Sequence, residues 1–178
     1  NIIMIYTTTY NSPIGNLLIA TKDNKLIGLW IENQKYYLSS FKEEMAEKEN
    51  LEILVKTRNW LDRYFKEEKP NISELDINLI GSEFRKNVWE ILKTIPYGEV
   101  ITYNDIAKKI AKQKGISKMS AQAIGGAVGH NPISIIVPCH RVVGSNGSLT
   151  GYAGGIEKKI QLLKLEGIDT SKYFVPKG

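Results

Sequence analysis

The sequence has 178 residues, 42% hydrophobic and 24% charged, with a net charge of +5, which is typical of one globular domain or two small ones. No window approaches the roughly 20 apolar residues of a membrane span, and the short apolar N-terminal run lacks the basic flank of a signal peptide. The single cysteine excludes an internal disulfide and a multi-cysteine zinc site, and it fits a reducing cytosol.

The first half of the chain has the pattern of an α+β unit. Three short runs have the apolar content of strands and are separated by turn residues: Ile2–Tyr10, Gly15–Thr21 and Leu26–Glu32. Apolar residues at spacings of three and four predict an amphipathic helix over Leu51–Glu67. We expect the acidic stretch Glu43–Glu49 to be an exposed helix or loop, and Lys69–Ile80 to connect the two halves. Nothing in this half suggests catalysis, so we expect it to be a scaffold.

The second half is predicted to be mostly helical. Ser82 is placed to cap the first of its helices. Thr102 has an acid three residues later, which is the form of a capping box and opens a second helix. A third helix is predicted over Ala121–His130, starting at Ser120 after the polar connection Lys112–Lys118. Two short helices joined in this way resemble a helix-turn-helix, although the connection is longer than the usual tight turn.

Charge is distributed unevenly between the halves. Residues 1–80 carry a net charge of −2, and residues 81–178 carry a net charge of +7. A basic half favours a polyanionic ligand such as nucleic acid, but a solvated lysine-rich surface gives the same pattern. Charge alone leaves both interpretations open.

One face of the third predicted helix is nearly bare. Gln122, Gly125, Gly126 and Gly129 recur at three- to four-residue spacing and therefore share one side of the helix. An interior glycine costs roughly 1 kcal/mol relative to alanine, so three of them need a reason. Such a face can receive another helix or strand of the protein, or it can enter the DNA minor groove, which excludes bulky helices. The sequence leaves both alternatives open.

Cys139 is directly followed by His140, behind a proline and an apolar run. A cysteine reacts as its thiolate, and a nearby base is one way to activate it. The alternative is a buried, inert thiol, although the adjacent His140-Arg141 pair argues against a purely apolar environment. Ile133–Val137 is predicted to be a strand that delivers Cys139. On an extended segment successive side chains point apart, so a turn or a bridging water would be needed to join Cys139 and His140.

Two further residues are candidates for supporting the cysteine. Glu166 follows an apolar helical pattern and precedes Gly167, so it stands at a helix end where a carboxylate could orient His140. Spacing alone favours a solvated acid at that position. Asn131 is predicted to cap the glycine-bearing helix or to fix the turn before Cys139. Gly144–Tyr152 is predicted to be a flexible loop whose backbone N–H groups and open space suit a flat ligand.

Several ordered motifs surround Cys139 and extend from Phe84 to Gly167. They are Ile95–Tyr103, Asn131-Pro132, Val137–Gly144, Gly151–Gly155, Lys159, Leu162-Leu163 and Glu166-Gly167. Together these motifs resemble the O6-alkylguanine-DNA alkyltransferase family, and their number and order make the resemblance specific. The first half fits the family less distinctly.

The resemblance implies an α+β fold in which residues 1–78 form a small RNase H-like scaffold domain. Residues 79–178 would form a mostly helical, winged-helix-like domain that carries the helix-turn-helix and the cysteine. The implied function is DNA repair by a cytoplasmic monomer that moves the alkyl group of O6-alkylguanine to its own cysteine, once and irreversibly. O4-alkylthymine is a second candidate substrate. The implied partner is double-stranded DNA, bound through the minor groove with the damaged base flipped out; no cofactor, metal, membrane or obligate protein partner is expected.

The resemblance also implies a role for each residue. Cys139 attacks the alkyl carbon, His140 acts as a base through a water, Glu166 orients the imidazole and Asn131 steadies the turn. Tyr103 crowds the phosphate beside the flipped nucleotide and donates a hydrogen bond to the leaving guanine.

Other implied residues bind the substrate and the DNA. In the base pocket, the backbone of Ala153 donates to O6, and the carbonyls of Cys139 and Val142 accept from the exocyclic amine. The expected substrate contacts are Tyr103, Val142, Tyr152 and Ala153. The expected DNA contacts are Thr102, Gln122, Ala123, Gly125, Gly126 and Gly129.

The chain departs from the family at a few positions. Gln122 stands where the family usually has an arginine that fills the space of the flipped base, so we expect intact chemistry with weaker or more salt-tolerant DNA binding. Ala153 stands where some relatives have serine, and Lys112–Met119 is longer than in some relatives. The competing functions are a non-catalytic protein that binds alkyl lesions, a cysteine hydrolase and a regulator that senses alkylation. The first lacks the cysteine in known relatives, the second would need an acyl substrate, and the third carries an additional cysteine-rich domain.

Overall fold

The computed structural model describes residues 4–34 and 41–176. The first half forms a four-stranded sheet with the strand order β3-β2-β1-β4. Its strands are β1 (Met4–Ser12), β2 (Gly15–Lys22), β3 (Lys25–Ile31) and β4 (Glu44–Glu47). The first three are antiparallel neighbours, which confirms the three predicted strands. Residues 2–3 of the first prediction lie outside the described residues.

The fourth strand was not expected. The prediction of a helix or loop over Glu43–Glu49 is wrong, because Glu44–Glu47 pairs in parallel with Met4–Thr7 at the edge of the sheet. Its side chains stay largely exposed, so the segment lacks the apolar alternation that marks a strand. Backbone pairing, rather than side-chain burial, makes it a strand.

Helix α1 (Glu52–Phe65) packs against the sheet and confirms the amphipathic helix predicted over Leu51–Glu67. Leu54, Leu61 and Tyr64 are almost fully buried on its inner side and join the main apolar core. The exposed side carries charged residues, as the pattern indicated.

The second half consists of short helices and a two-stranded parallel sheet. Its elements are α2 (Glu83–Leu92), β5 (Ile101–Thr102), α3 (Tyr103–Lys114), α4 (Ala121–Gly129), β6 (Val142–Val143) and α5 (Ile156–Leu165). Ser82 Oγ accepts a hydrogen bond from the backbone N–H of Arg85 at 3.2 Å, and Ser120 Oγ from that of Ala123 at 3.3 Å. Both predicted N-terminal caps are therefore confirmed. No helix in the described ranges is long and apolar enough to cross a lipid bilayer.

Helices α3 and α4 form the predicted pair. The capping box at Thr102 is complete: Thr102 Oγ1 accepts from the Asp105 N–H at 3.0 Å, and the Asp105 carboxylate accepts from the Thr102 N–H at 2.9 Å. Helix α3 ends at Gly115, whose φ of +65° suits glycine at a helix C-terminus. Helices α3 and α4 pack against each other and against α2.

The segment before Cys139 differs from the prediction. Ile133–Val137 is not a strand; it forms a tight turn in which Ile135 has a φ of +71°, and Ile133 alone makes a β-bridge, to Leu29. A positive φ is rare for a β-branched residue. The run is apolar because the core surrounds it, and this burial imitates the signature of an inner strand.

One continuous core joins the two halves and fixes this turn. Leu29 of β3 donates its N–H to Pro132 O at 2.8 Å and accepts from the Ser134 N–H at 2.9 Å. Ser134 Oγ also donates to Gln34 Oε1 at 2.9 Å. Because β3 is an edge strand, its outer edge has backbone groups left to bind the segment that leads to the cysteine.

Candidate active site

Cys139, His140 and Arg141 form a single 3-10 turn directly after Pro138, and all three side chains are buried. Cys139 is only 4% exposed, and its N–H donates to Val137 O at 2.8 Å. The helical turn replaces the extended geometry expected from the sequence. The buried environment of Cys139 is not inert, because polar and charged groups of the site surround it.

Asn131 fixes the turn, which was one of the two predicted roles. Its Nδ2 donates to Val137 O at 2.8 Å and to Ile133 O at 3.3 Å, and its Oδ1 accepts from the Ile133 N–H at 3.1 Å. These bonds satisfy buried backbone groups that have no strand partner. The Asn131 side chain also lies near the thiol of Cys139 and opposes the rise of its pKa.

Glu166 receives the hydrogen bonds of the site on both oxygens. It is the residue directly after helix α5, and its side chain is fully buried. His140 Nε2 lies 2.5 Å from Oε2. Arg141 donates from Nε to Oε1 at 2.7 Å and from Nη2 to Oε2 at 3.1 Å. Tyr64 Oη donates to Oε2 at 2.6 Å, and the Gly98 N–H to Oε1 at 3.1 Å.

These contacts determine which groups carry charge. Burial opposes ionisation of Glu166, but hydrogen bonds and charge from His140 and Arg141 outweigh it and hold the pKa of the carboxyl far below its usual value. Burial lowers the pKa of His140, and the nearby Glu166 offsets only part of this change. His140 is therefore a neutral imidazole at pH 7 that binds an ionised Glu166.

The hydrogen bonds also determine the tautomer of His140. Because an ionised carboxylate only accepts, Nε2 carries the proton and Nδ1 keeps its lone pair. Within the described residues Nδ1 has no hydrogen-bond partner, although it is buried. Nδ1 is thus the basic atom that this arrangement leaves available.

The thiol of Cys139 is uncharged at neutral pH. Burial raises its pKa, while Asn131 and the positive charge of Lys159 lower it in part. Lys159 is itself buried, which lowers its pKa to about 8, and its Nζ donates to Val142 O at 2.6 Å and to Thr150 O at 3.4 Å. The resting protein therefore holds a neutral thiol that must lose its proton before it can react.

Two tyrosines border the cysteine. Tyr103 begins α3, and its hydroxyl donates to Thr150 O at 2.9 Å, which ties α3 to the loop after β6. The Tyr152 ring lies edge-on to His140 at 6.4 Å. Burial raises the pKa of both phenols, and the thiolate of Cys139 would raise them further, so both remain protonated donors.

A groove of about 850 Å³ lies beside Tyr103. Its walls come from the start of α3, from α4, from the loop after β6 and from the C-terminal segment, including Tyr103, Gln122, Gly125, Gly151 and Phe174. Gly151 has a φ of +95°, and a Cβ there would lie 2.8 Å from the Tyr103 hydroxyl. The close approach and the positive φ together explain this glycine.

The bare face of α4 is open. A Cβ built on Gly125, Gly126 or Gly129 meets no atom within 4 Å. Of the two alternatives left by the sequence, packing against another part of the described protein is therefore not observed. Gln122 and Ala123 are also exposed at the start of this helix. The face is available to a ligand that requires close approach to the backbone.

The structure brings most of the expected residues together. Cys139, His140, Glu166 and Asn131 form one buried cluster, and Val142 lies next to it with its carbonyl bound to Lys159. Ala153 is half-buried in the segment after Tyr152. Thr102 caps α3, and its side chain is committed to that cap rather than pointing freely outward.

Sequence reasoning missed three members of the cluster. Tyr64 comes from α1, in the half expected to be only a scaffold, and nothing distinguishes it from its apolar neighbours on that helix. Arg141 and Lys159 belong to the motifs but received no role. A buried lysine within a helix of otherwise apolar inward residues is a signal that could have identified Lys159.

Comparisons with known proteins identify the family of the chain. The family model described as "6-O-methylguanine DNA methyltransferase, ribonuclease-like domain" matches residues 5–79, and the model of the DNA binding domain of the same family matches residues 83–168. The methylated-DNA–protein-cysteine methyltransferase of Mycolicibacterium paratuberculosis is 42% identical over 163 residues, covering 92% of this chain and 93% of the relative. The protein of that name from Methanosarcina acetivorans is 42% identical over 179 residues, covering 92% and 99%.

A solved structure shows the same architecture. The crystal structure of Mycobacterium tuberculosis OGT in complex with DNA superposes with a TM-score of 0.77 at 36% identity, covering 96% of this chain and 94% of that one. The α+β fold therefore combines a ribonuclease-like N-terminal domain with a DNA-binding domain. On these matches, the chain belongs to the 6-O-methylguanine DNA methyltransferase family.

Proposed function

We propose that this protein repairs DNA by transferring the alkyl group of O6-alkylguanine to Cys139 in a single, irreversible turnover. The observation that carries the proposal is the buried cluster of Cys139, His140 and Glu166, together with Tyr103, which borders Cys139 and lines an open groove. A cysteine, a neutral imidazole and a fixed carboxylate are the groups that an activated thiol nucleophile needs. The family membership of the chain supports the same reaction.

The reaction begins with deprotonation of the thiol. A water relays the proton from Cys139 to Nδ1 of His140, and Glu166 stabilises the imidazolium through Nε2. The sulfur then attacks the alkyl carbon in line with the bond to O6. As the S–C bond forms, the C–O6 bond breaks, and its electron pair passes to the guanine. The guanine leaves as the neutral base after it gains a proton, so the net proton transfer is from Cys139 to guanine.

Hydrogen bonds make guanine an adequate leaving group. Tyr103 lines the groove and remains protonated because burial raises its pKa. We propose that its hydroxyl, which donates to Thr150 O in the free protein, donates to the leaving base instead when the substrate is bound. We propose that the backbone of Ala153 donates to O6 and that the carbonyls of Cys139 and Val142 accept from the amine, with Tyr152 bordering the pocket. The product is a thioether, which water does not readily cleave, so no second turnover is expected.

DNA binding is proposed to use the bare face of α4. Its open glycines allow the backbone to approach the minor groove, and Gln122 would fill the gap that the flipped base leaves. The net charge of +7 on residues 81–178 favours the phosphate backbone. The proposed DNA contacts are Thr102, Gln122, Ala123, Gly125, Gly126 and Gly129.

The two halves of the chain have different roles in this proposal. We infer that residues 1–78 form the scaffold domain and residues 79–178 the alkyltransferase domain. The chemistry requires no cofactor, since the nucleophile, the base and the proton donors are side chains. It does require that Cys139 stays reduced, which favours a cytoplasmic location.

The proposal is tested by following the fate of the lesion. A duplex with one O6-methylguanine is mixed with increasing amounts of protein, and the remaining lesion is quantified. Loss of one lesion per protein, with none lost when fresh duplex is added, is expected. Cys139→Ser is the control and should bind the duplex without repairing it. If the wild type also binds the lesion but leaves it intact, the protein is a non-catalytic lesion binder and the proposal is wrong.

A further inference from the structure

The Glu166 carboxylate is held by a residue from the opposite half of the molecule. Tyr64 of α1 donates its hydroxyl to Glu166 Oε2 at 2.6 Å, although the two residues are 102 positions apart. The same oxygen binds His140 Nε2 at 2.5 Å. Tyr64 and His140 therefore act on a single carboxylate oxygen, and neither is accessible to solvent.

The ring of Tyr64 is fixed independently of its hydroxyl. It stacks on Trp60 with 5.7 Å between ring centroids and meets Phe65 and Tyr97 edge-on at 5.1 and 6.0 Å. Burial and the charge of Glu166 hold the pKa of Tyr64 far above its usual value, so the hydroxyl always donates. The interaction is a rigid, charge-assisted hydrogen bond.

We propose that Tyr64 is a positioning residue for methyl transfer: its hydroxyl donates to the Glu166 oxygen that binds His140 and limits the negative charge which that oxygen presents to the imidazole. The inference rests on the proposed function, in which a neutral His140 receives the proton of Cys139. Each donor that shares Oε2 withdraws electron density from it, so the bond to His140 weakens as donors are added. The N-terminal half thereby contributes directly to the reactivity of the cysteine.

Other groups around the cluster keep Glu166 in place when Tyr64 changes. Arg141 binds both carboxylate oxygens, and the Gly98 N–H binds Oε1. The titratable and charged groups that face His140 or Tyr64 are Cys139 and Arg141 of the 3-10 turn, Lys159 and Glu166 of α5, Tyr152 of the loop and Tyr97 after α2. Removing the Tyr64 hydroxyl should therefore change the charge on Oε2 more than its position.

The test compares Tyr64→Phe with Tyr97→Phe. The first variant keeps the stacked ring and loses the bond to Glu166. The second is a matched control, because the Tyr97 hydroxyl donates to the backbone O of Leu165 at 3.2 Å, one residue from the carboxylate. The pKa of His140 is measured by ¹⁵N NMR, which is practical because the chain has only two histidines. Single-turnover methyl transfer is measured across pH in parallel.

In Tyr64→Phe we expect the pKa of His140 to rise by about one unit. At a pH below this pKa, the fraction of neutral His140 then falls about tenfold, and the rate of methyl transfer falls with it. Tyr97→Phe should leave the pKa of His140 and the rate of methyl transfer unchanged. A pKa of His140 that is unchanged or lowered in Tyr64→Phe would overturn the inference. Because the NMR titration needs no methyl transfer, it tests Tyr64 separately, whereas a wild type that cannot transfer the group contradicts the proposed function.

Should Tyr64→Phe fail to fold, the wild-type protein still provides a test. A hydroxyl proton that is buried and donated to a carboxylate exchanges slowly and resonates downfield. Its resonance should show a nuclear Overhauser effect to the ring protons of Tyr64 and should shift when His140 is titrated. A Tyr64 hydroxyl proton that exchanges fast, or one that does not respond to His140, would overturn the inference.

Discussion

Glu166 links the electrostatics of the site to the stability of the protein. The carboxylate neutralises the largely buried Arg141 and orients His140, so its loss leaves a cation without a partner. We expect Glu166→Gln to lower the free energy of unfolding by about 3 kcal/mol, the cost of breaking a buried pair. Urea unfolding measures this change. Glu157→Gln, at an exposed acid in the first turn of the same helix, is the control and should change little.

The same groups predict how stability depends on pH. The pKa values of His140 and Glu166 in the folded protein lie below their ordinary values of 6.5 and 4.5, so the unfolded chain binds more protons in acid. The contribution of these two groups to the free energy of unfolding is fully present above pH 6.5. It should fall as the pH drops below 6.5 because of His140, and further below 4.5 because of Glu166. Urea unfolding at several pH values tests this; a free energy of unfolding that rises on acidification would contradict it.

Gln122 is the residue at which DNA affinity should differ from that of family members with arginine. An added cation near the phosphates releases about one further counterion, so Gln122→Arg should bind DNA more tightly and with a salt dependence steeper by about one unit. Methyl transfer at saturating protein should be unchanged. Fluorescence anisotropy over a range of salt concentrations measures both quantities. Equal affinity and equal slope for the two proteins would show that Gln122 has no such role.

The residues of the site could be predicted only where they lie close to the cysteine or in its motifs. Cys139, His140 and Asn131 occupy one short segment, whereas spacing alone favoured a solvated acid at Glu166, whose role was implied by the family motif Glu166-Gly167. Tyr64 could not be found in this way, because a tyrosine on an apolar helix face is normally part of the core. Its role follows from a long-range contact between α1 and the residue that follows α5, which no local pattern encodes.

At the level of elements, helix α4 combines low intrinsic stability with an open face. Gly125 has no neighbour within 4 Å of a Cβ, and leucine is the better helix former. We expect Gly125→Leu to raise the free energy of unfolding by about 0.5–1 kcal/mol. The same variant should lower DNA affinity by about tenfold or more, because the side chain blocks approach to the narrow minor groove.

A second glycine separates these two effects. Gly115 also has open space around it, but its φ of +65° is unfavourable for leucine. Gly115→Leu should therefore lower stability and leave DNA affinity unchanged. Thermal unfolding and DNA titration of both variants provide the comparison. If Gly125→Leu binds DNA as tightly as the wild type, the bare face of α4 does not contact DNA.

Elements were predictable where their side chains carry the signal. The caps at Ser82, Thr102 and Ser120 follow from local hydrogen bonding and were found from sequence. β4 was missed because its pairing involves the backbone and leaves its side chains exposed. Ile133–Val137 was mistaken for a strand because burial alone produces an apolar run, whatever the backbone conformation.

At the level of the whole molecule, the two halves share one core and should unfold together. Backbone bonds join Leu29 to the segment before Cys139, and the Tyr64 hydroxyl joins α1 to Glu166. Trp30 and Trp60 report on the first half and Trp89 on the second. We expect the Trp89→Phe variant and the double Trp30→Phe, Trp60→Phe variant each to show a single transition in urea with equal fitted cooperativity. Far-UV circular dichroism of each variant should coincide with its fluorescence. Two separate transitions in either protein would contradict a shared core.

Peptide mass spectrometry shows whether Cys139 accepts the alkyl group. The protein is mixed with a duplex that contains O6-methylguanine and is then digested. We expect the mass of one methylene to be added to the peptide that contains Cys139, with a maximum of one per protein and none in Cys139→Ala. An unmodified Cys139 peptide after stoichiometric exposure to the lesion, or a methyl group on another residue, would exclude Cys139 as the acceptor.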